Sequence, residues 1–189
     1  MPLEQKHPRI RPVEPPYDDD TSAVLDKLGP PIQFFRVLAR RPELAGGVTG
    51  WGGYYMSRNL ALTLRQRELV IDRTTAVCGA DYEWGVHVAY FAEKVKLTAE
   101  QVTSLAQGKA DDACWTDPAD RALIRAVDEL HATSDLSDDA WTSLVAAVGE
   151  AGVLDVLLLA GWYHAISFAV RALRLPLEPG TSPLPRTGV

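Results

Sequence analysis

Cysteine is scarce in this chain. Cys78 and Cys114 stand far apart, with no Cys-x-x-Cys and no zinc-type spacing. A disulfide framework is excluded as the source of stability, and both thiols are expected to be free. An excess of positive charge is lacking too. Nineteen Lys and Arg against twenty-five Asp and Glu leave a formal charge of −6. That balance excludes the basic face of a nucleic-acid binder and opposes attachment to an anionic membrane. No uninterrupted apolar run makes a comfortable membrane span. The most apolar stretch, Val153–Val170, contains Asp155 and His164 and is followed at once by Arg171, so a buried central helix is expected there. The polar start, Met1–Pro16, has no apolar h-region of an export signal, and a cytoplasmic protein is expected. Alternating strand patterns and internal repeats are missing throughout.

What is present is helical period between two proline-rich ends. Pro2, Pro8, Pro12, Pro15 and Pro16 rule out a regular helix or central strand over 1–18. Pro176, Pro179, Pro183 and Pro185 do the same over 176–189. Both segments read as extended arms, either loose or wrapped round a neighbouring subunit. Between them lies one helical domain, 19–175, in a chain whose 47% hydrophobic content is enough for a core. Pro31 opens a helix that stops before Pro42. A second covers 43–59, with a glycine-rich weak point at Gly46, Gly47, Gly50, Gly52 and Gly53. A third covers 63–78 and is stopped by Gly79. A fourth runs from Asp81, its expected N-cap, to about Val95. Thr98 and Gln101 have capping-box spacing and start a fifth that ends near Gly108. Asp117-Pro118 starts a sixth, running to about Ala132. Ser137 starts a seventh that runs to Val148, and Gly152 precedes an eighth that ends before Pro176. The fold class is all-α, with about eight helices.

Chemistry-bearing residues concentrate between Leu64 and Lys94. Leu64, Glu68, Ile71, Thr75 and Cys78 share one helical stripe, so Glu68 interrupts an apolar face. A carboxylate there is either desolvated and suited to proton transfer or turned outward to pair with Arg65 or Arg67. In the next helix Trp84, Val88, Phe91 and Val95 form an apolar stripe. Glu83 and His87 lie one turn apart on an adjoining face with Tyr90 and Lys94. A carboxylate one turn before a histidine can accept its ring N–H and raise its basicity, or the two make an ordinary exposed pair. His164 falls on the stripe Val153, Leu157, Ala160, His164, Ser167, Arg171. It reads as a hydrogen-bonded core histidine or as a further wall of the same pocket, with Trp162 or Tyr163 beside it. Arg58, Arg65 and Arg73 are expected to face solvent, as is His131.

Glu68, the string Cys78-Gly-Ala-Asp-Tyr-Glu-Trp-Gly-Val-His87, then Leu97-Thr98 and a short helix together resemble the carboxymuconolactone decarboxylase family. That family includes decarboxylases and the alkylhydroperoxidase D-like proteins. The likeness covers about residues 30–175 and is sharpest over 65–108. The peroxidase branch has Glu, eleven residues, Cys-x-x-Cys, three residues and His. Laid on this chain, the Glu falls on Glu68 and the His on His87, while the cysteine slots fall on Ala80 and Glu83. Both thiols of that branch are absent, and the proton-relay positions remain. The resemblance therefore implies an alkylhydroperoxidase D-like helical bundle of the decarboxylase-like branch. It also implies a carboxy-lyase of aromatic-compound catabolism that needs no cofactor and assembles as a homotrimer or as a hexamer of trimers.

On this reading Glu68, Glu83 and His87 are the expected catalytic residues. They act on a small carboxylated lactone or related acid, whose conjugated carbonyl is its own electron sink. Cys78, Trp84 and His164 are expected to contact the substrate, and no metal is expected. The competing functions are a peroxidase-like protein using Cys78 alone, a metal protein using Glu68, Glu83 and His87 as ligands, and a non-catalytic binding protein on the same fold.

Overall fold

The computed structural model describes residues 7–186, and those residues form eight α-helices and no strand. The helices are α1 (Asp19–Leu28), α2 (Gln33–Leu38), α3 (Pro42–Tyr55), α4 (Leu64–Val77), α5 (Asp81–Phe91), α6 (Ala99–Gln107), α7 (Pro118–Thr133) and α8 (Asp138–Leu173). Local chemistry sets many of the ends. Thr63 with Gln66 and Thr98 with Gln101 form reciprocal capping boxes at the starts of α4 and α6. Asp117 caps α7 ahead of Pro118, and Ser137 caps α8. At Gly149 the backbone turns to φ 68°, ψ 171°, so α8 is two helices in line, broken between the expected seventh and eighth.

Three sequence expectations need correcting. Residues 19–28 form a helix that the pattern did not suggest, because Val24, Leu25 and Leu28 are its few large apolar residues. Its signal is terminal charge: Asp18 accepts from the Thr21 N–H at 2.7 Å, Asp19 and Asp20 occupy the first turn, and Lys27 the last. Asp81 does not cap α5. Its carboxylate instead accepts from the Leu184 N–H at 3.1 Å and pairs with Arg186 at 2.9 Å.

The third correction concerns which helix is central. It is α4, in which every residue from Arg67 to Ala76 is buried, and which packs against α5, α6, α7 and α8. Its apolar members, Leu69, Val70 and Ile71, are fully enclosed. Several of its charged members are buried because partners satisfy them. Arg73, expected in solvent, binds Asp128 in a fork at 2.6 and 3.1 Å and donates to the Leu105 carbonyl. Arg65 at the start of the same helix reaches Asp120 and the Val95 carbonyl, both at 2.7 Å. By contrast α8, long and apolar enough to cross a membrane by length and composition alone, buries just one side. Asp155 within it accepts from the Tyr54 hydroxyl and the Ala61 N–H, both at 2.7 Å. Its outer face exposes Ala151, Leu154, Leu158, Gly161, Ala165, Phe168 and Ala172, alternating three- and four-residue steps that make a straight apolar seam.

The described parts of both arms lie on their own chain. The Arg9 N–H donates to the Leu173 carbonyl and the Val13 N–H to the Arg36 carbonyl. In the other arm Glu178 accepts from the Gln33 N–H and the Tyr82 hydroxyl, each at 2.5 Å. Beyond it the chain crosses α5 at Gly85, where an added Cβ would stand 2.7 Å from the Ser182 carbonyl oxygen and 3.2 Å from Thr181. Gly85→Ala is therefore expected to lift residues 180–184 off α5 and to cost about 1–3 kcal/mol. Limited proteolysis, with cleavage in that segment faster than in wild type, checks it.

Candidate active site

Glu68 has no exposed surface, and it is held from both sides. Oε1 accepts from Arg67 Nε at 2.7 Å, and Nη2 of the same guanidinium stands 2.6 Å from it as an ion pair. Oε2 lies 2.8 Å from Nδ1 of His87, which is itself 6% exposed on α5. Arg67 donates further to the Tyr55 carbonyl at 3.2 Å. An arginine and a carboxylate adjacent in sequence can meet here because their helix is enclosed and neither can escape to water.

The other ring nitrogen of His87, Nε2, stands 3.1 Å from the Tyr163 hydroxyl and 3.5 Å from Oε1 of Glu83. The ring stacks on Phe91 and meets Tyr163 edge-on. Burial opposes a charge on His87, but the two carboxylates outweigh it, and its pKa is pushed up from 6.5 to about 10. Burial likewise opposes charge on Glu68, yet His87 and then Arg67 hold its carboxyl below the usual value. The site is thus an imidazolium between carboxylates. Burial drives Tyr163 well above the ordinary tyrosine range, with Glu83 and Glu68 adding to it, so its hydroxyl keeps its proton. One turn along α4, Asp72 is raised well above the carboxylate range by burial and by Glu68. Neither of its oxygens has a hydrogen-bond partner.

Nε2, Glu83 and Tyr163 face a cavity of about 460 Å³. Its walls are apolar and largely aromatic: Phe34 and Phe35 from α2, Phe91 from α5 and Trp162 from α8. The glycine-rich α3 closes one side. A Cβ at Gly52 would make an ordinary contact with the Trp162 ring at 3.6 Å, and Trp51 packs on the same ring at 4.7 Å between centroids. Lys27 is the one lysine or arginine lining the cavity among the described residues.

The structure brings Glu68, Glu83 and His87 together. It does not bring Cys78, Trp84 or His164 to the cavity, and the helical rotation of about 100° per residue explains two of these. Trp84 follows Glu83 and is turned into the main core, 2% exposed. His164 follows Tyr163 and is turned toward α7, where it meets His131. Cys78 caps the far end of α4 beneath α8, where burial pushes its thiol up despite neighbouring Ser167 and Arg171. Sequence reasoning offered Tyr163 just as a neighbour of His164 at the pocket and Arg67 as an outward partner for Glu68, and it gave Asp72 no role in the site. A signal existed for Tyr163, since it is the one hydroxyl on the buried stripe Val156, Leu159, Tyr163, Ile166, Val170.

No protein-family model matches the chain, and no curated protein matches it in sequence. Solved structures do. The chain is similar to the debrominase Bmp8, in a cysteine-to-alanine variant complexed with 2,3,4-tribromopyrrole. The TM-score is 0.72 at 14% identity, covering 90% of this chain and 92% of that one. It is also similar to ATU0492 from Agrobacterium tumefaciens, a protein of unknown function suggested to be an antioxidant-defence protein AhpD. There the TM-score is 0.64 at 18% identity, covering 75% of this chain and 94% of that one. The fold is the alkylhydroperoxidase D-like helical bundle.

The ion pair has a pH signature. His87 is raised on folding, so its contribution is complete below about pH 6.5 and is lost progressively as the pH climbs through about 10. Glu68 is lowered, so its contribution is present above pH 4.5 and is lost as the pH falls through its depressed value. Denaturant unfolding of wild type should weaken between pH 6.5 and 10, and His87→Gln should flatten that limb. NMR of the imidazole should show both ring nitrogens of His87 protonated at about pH 8, between its ordinary and its raised value. Glu68→Ala strands Arg67 and His87 in the interior and should cost about 3–5 kcal/mol.

Proposed function

We propose that this chain is a cofactor-free acid–base enzyme that moves a proton on a small, flat, mostly apolar ring compound bound beside His87. The observation that carries the reading is the placement of His87. Nδ1 is anchored on buried Glu68, and Nε2 is offered to Tyr163 and Glu83 at the wall of an aromatic cavity. The anchor fixes the ring's orientation and keeps it cationic. His87 then donates through Nε2 to the Tyr163 oxygen while the Tyr163 hydroxyl donates to the substrate, so an enolate oxygen or a carbanion is met by a proton from a group that stays neutral. Oε2 of Glu83 is buried with no hydrogen-bond partner, and its carboxylate is the base for the reverse transfer. An acid and a base in one cavity suit an enolisation, an isomerisation or the protonation that follows loss of CO₂.

The narrower form of the proposal is decarboxylation of a carboxylated unsaturated lactone, which the motif resemblance suggests. Such a substrate brings a carboxylate, and Lys27, exposed at the mouth, is the lining side chain that can meet it. The ring lies in the aromatic part. That a structurally similar debrominase holds a brominated pyrrole supports a flat ring as the class of ligand, and nothing in this cavity supplies a thiol for reductive chemistry. Cys78 lies outside it, and Ala80 and Glu83 stand in the cysteine slots. Dithiol-dependent hydroperoxide turnover is expected to be absent in wild type and in Cys78→Ala alike.

The test is proton exchange in deuterated buffer, followed by mass spectrometry over a panel of lactone acids and neutral ring ketones. His87→Gln should lower the rate by about a hundredfold or more, and Tyr163→Phe by about tenfold. An unchanged rate in His87→Gln on a substrate the wild type turns over would sink the proposal.

The same proposal includes a homo-oligomer, with the seam on α8 as the contact. Gly161 and Ala165 sit mid-seam, where two copies can approach closely, and Leu154 and Phe168 flank them in positions that meet across an antiparallel two-fold. The trimer or hexamer rests on the family resemblance, and in a hexamer a two-fold seam of this kind joins one trimer to the other. Sedimentation should give an oligomer for wild type and a smaller species for Leu158→Glu.

A further inference from the structure

A second cluster of reactive groups lies on the other side of α8 from the cavity. The sulfur of Cys78 and one ring nitrogen each of His131 and His164 all fall within 4.8 Å of one another. They come from three helices: Cys78 caps α4, His131 is in the last turn of α7, and His164 is in the middle of α8. We propose that Cys78, His131 and His164 form a binding site for a zinc-class transition-metal ion, with a fourth position open to water.

The hydrogen bonding favours that reading. Nδ1 of His164 lies 2.8 Å from the Ala160 carbonyl, which can just accept, so Nδ1 carries the ring proton and Nε2 is left bare. This is how a backbone carbonyl fixes the tautomer of a metal-bound histidine. The bare Nε2 points at Nδ1 of His131, 2.9 Å away. One proton therefore sits between two ring nitrogens, where a cation can replace it. That proton moves to Nε2 of exposed His131, and the thiol of Cys78 gives up its own on forming the sulfur–metal bond. One proton in all leaves the protein.

A further observation points the same way. Ser167 is fully buried beside the Cys78 sulfur, and its hydroxyl has no nitrogen or oxygen partner. A thiolate ligand supplies an acceptor for it. One sulfur and two imidazoles are the donor set of zinc and its neighbours, not of magnesium or calcium. Metal–sulfur and metal–nitrogen bonds of about 2.3 and 2.0 Å place tetrahedral ligands roughly 3.3–3.7 Å apart. Side-chain rotation of about 1 Å draws the sulfur in and parts the two nitrogens, now 2.9 Å apart, to that size. Three charged groups border the site. Asp128, one turn before His131, is already forked to Arg73, and Arg171 donates to the Cys78 carbonyl at 2.6 Å. The sequence expectation of no metal came from looking for short spacings, and these ligands are separated by whole helices.

The full chain, stripped with a chelator and kept reduced, is titrated with Co²⁺ and then with Zn²⁺. Expected are one equivalent of Co²⁺ with tetrahedral d–d bands and a thiolate-to-cobalt charge-transfer band, both displaced by Zn²⁺. Zinc at about a hundredfold excess over Kd should raise Tm by roughly 5–10 °C. Cys78→Ser should remove the charge-transfer band. His131→Gln, at an exposed position that leaves the core intact, should weaken binding by more than about a hundredfold. His87→Gln should bind as wild type does. An octahedral spectrum without charge transfer, or equal binding by His131→Gln and wild type, overturns the proposal. So does loss of binding in His87→Gln, which would put the metal at the carboxylate site.

Discussion

Glu68 carries its carboxylate into the enclosed middle of the central helix, and much of the surrounding architecture exists to keep it ionised there. A lone carboxylate in that position would take up a proton. Arg67 neutralises one oxygen and His87 the other, so the cost of burial is offset by two charge-assisted hydrogen bonds. The arrangement then propagates outward. Because Nδ1 of His87 is committed to Glu68, Nε2 has one direction left, and that direction is the cavity. Because Tyr163 stands on the buried side of α8, its hydroxyl reaches Nε2. The position of α5 relative to α4 and α8 sets each of these distances.

That same pair shows where sequence reading succeeds and where it stops. Helix starts with a side-chain cap were legible at Thr98, Asp117 and Ser137, since a cap is a local hydrogen bond written in adjacent residues. The spacing of Glu68, Glu83 and His87 was legible because helical period and the family pattern agree. Burial was not. α4 is the most enclosed helix and carries Arg67, Glu68, Asp72 and Arg73, while the more apolar α8 leaves a full seam exposed. Composition measures the average character of a segment, whereas burial depends on whether each polar group finds a partner from another helix. Asp128 for Arg73 is 55 residues away, and no local pattern announces it. Neighbouring residues misled for the same reason: Trp84 beside Glu83, and His164 beside Tyr163, differ by one rotation and face different parts of the molecule.

The fold shared with a debrominase and with an AhpD-like protein allows different chemistries in one frame. Here the positions where the peroxidase pattern has thiols hold Ala80, fully buried ahead of α5, and Glu83, which faces His87. Replacing a thiol by a carboxylate changes what the site can exchange. A cysteine pair passes electrons, whereas a carboxylate 3.5 Å from an imidazole has the groups to exchange a proton, as proposed above.

Electrostatics bears on the proposed ligand. Arg67 and His87 face Glu68 and Glu83, and burial with Glu68 raises Asp72 well above the usual carboxylate range. On the proposed reading a substrate carboxylate is disfavoured against Glu83 and is turned toward Lys27 at the mouth, which leaves the ring carbons facing the Tyr163 hydroxyl. On the proposed reading, the burial and the Glu68 charge that raise Asp72, one helical turn behind Glu68, work against a further negative charge beside a developing enolate.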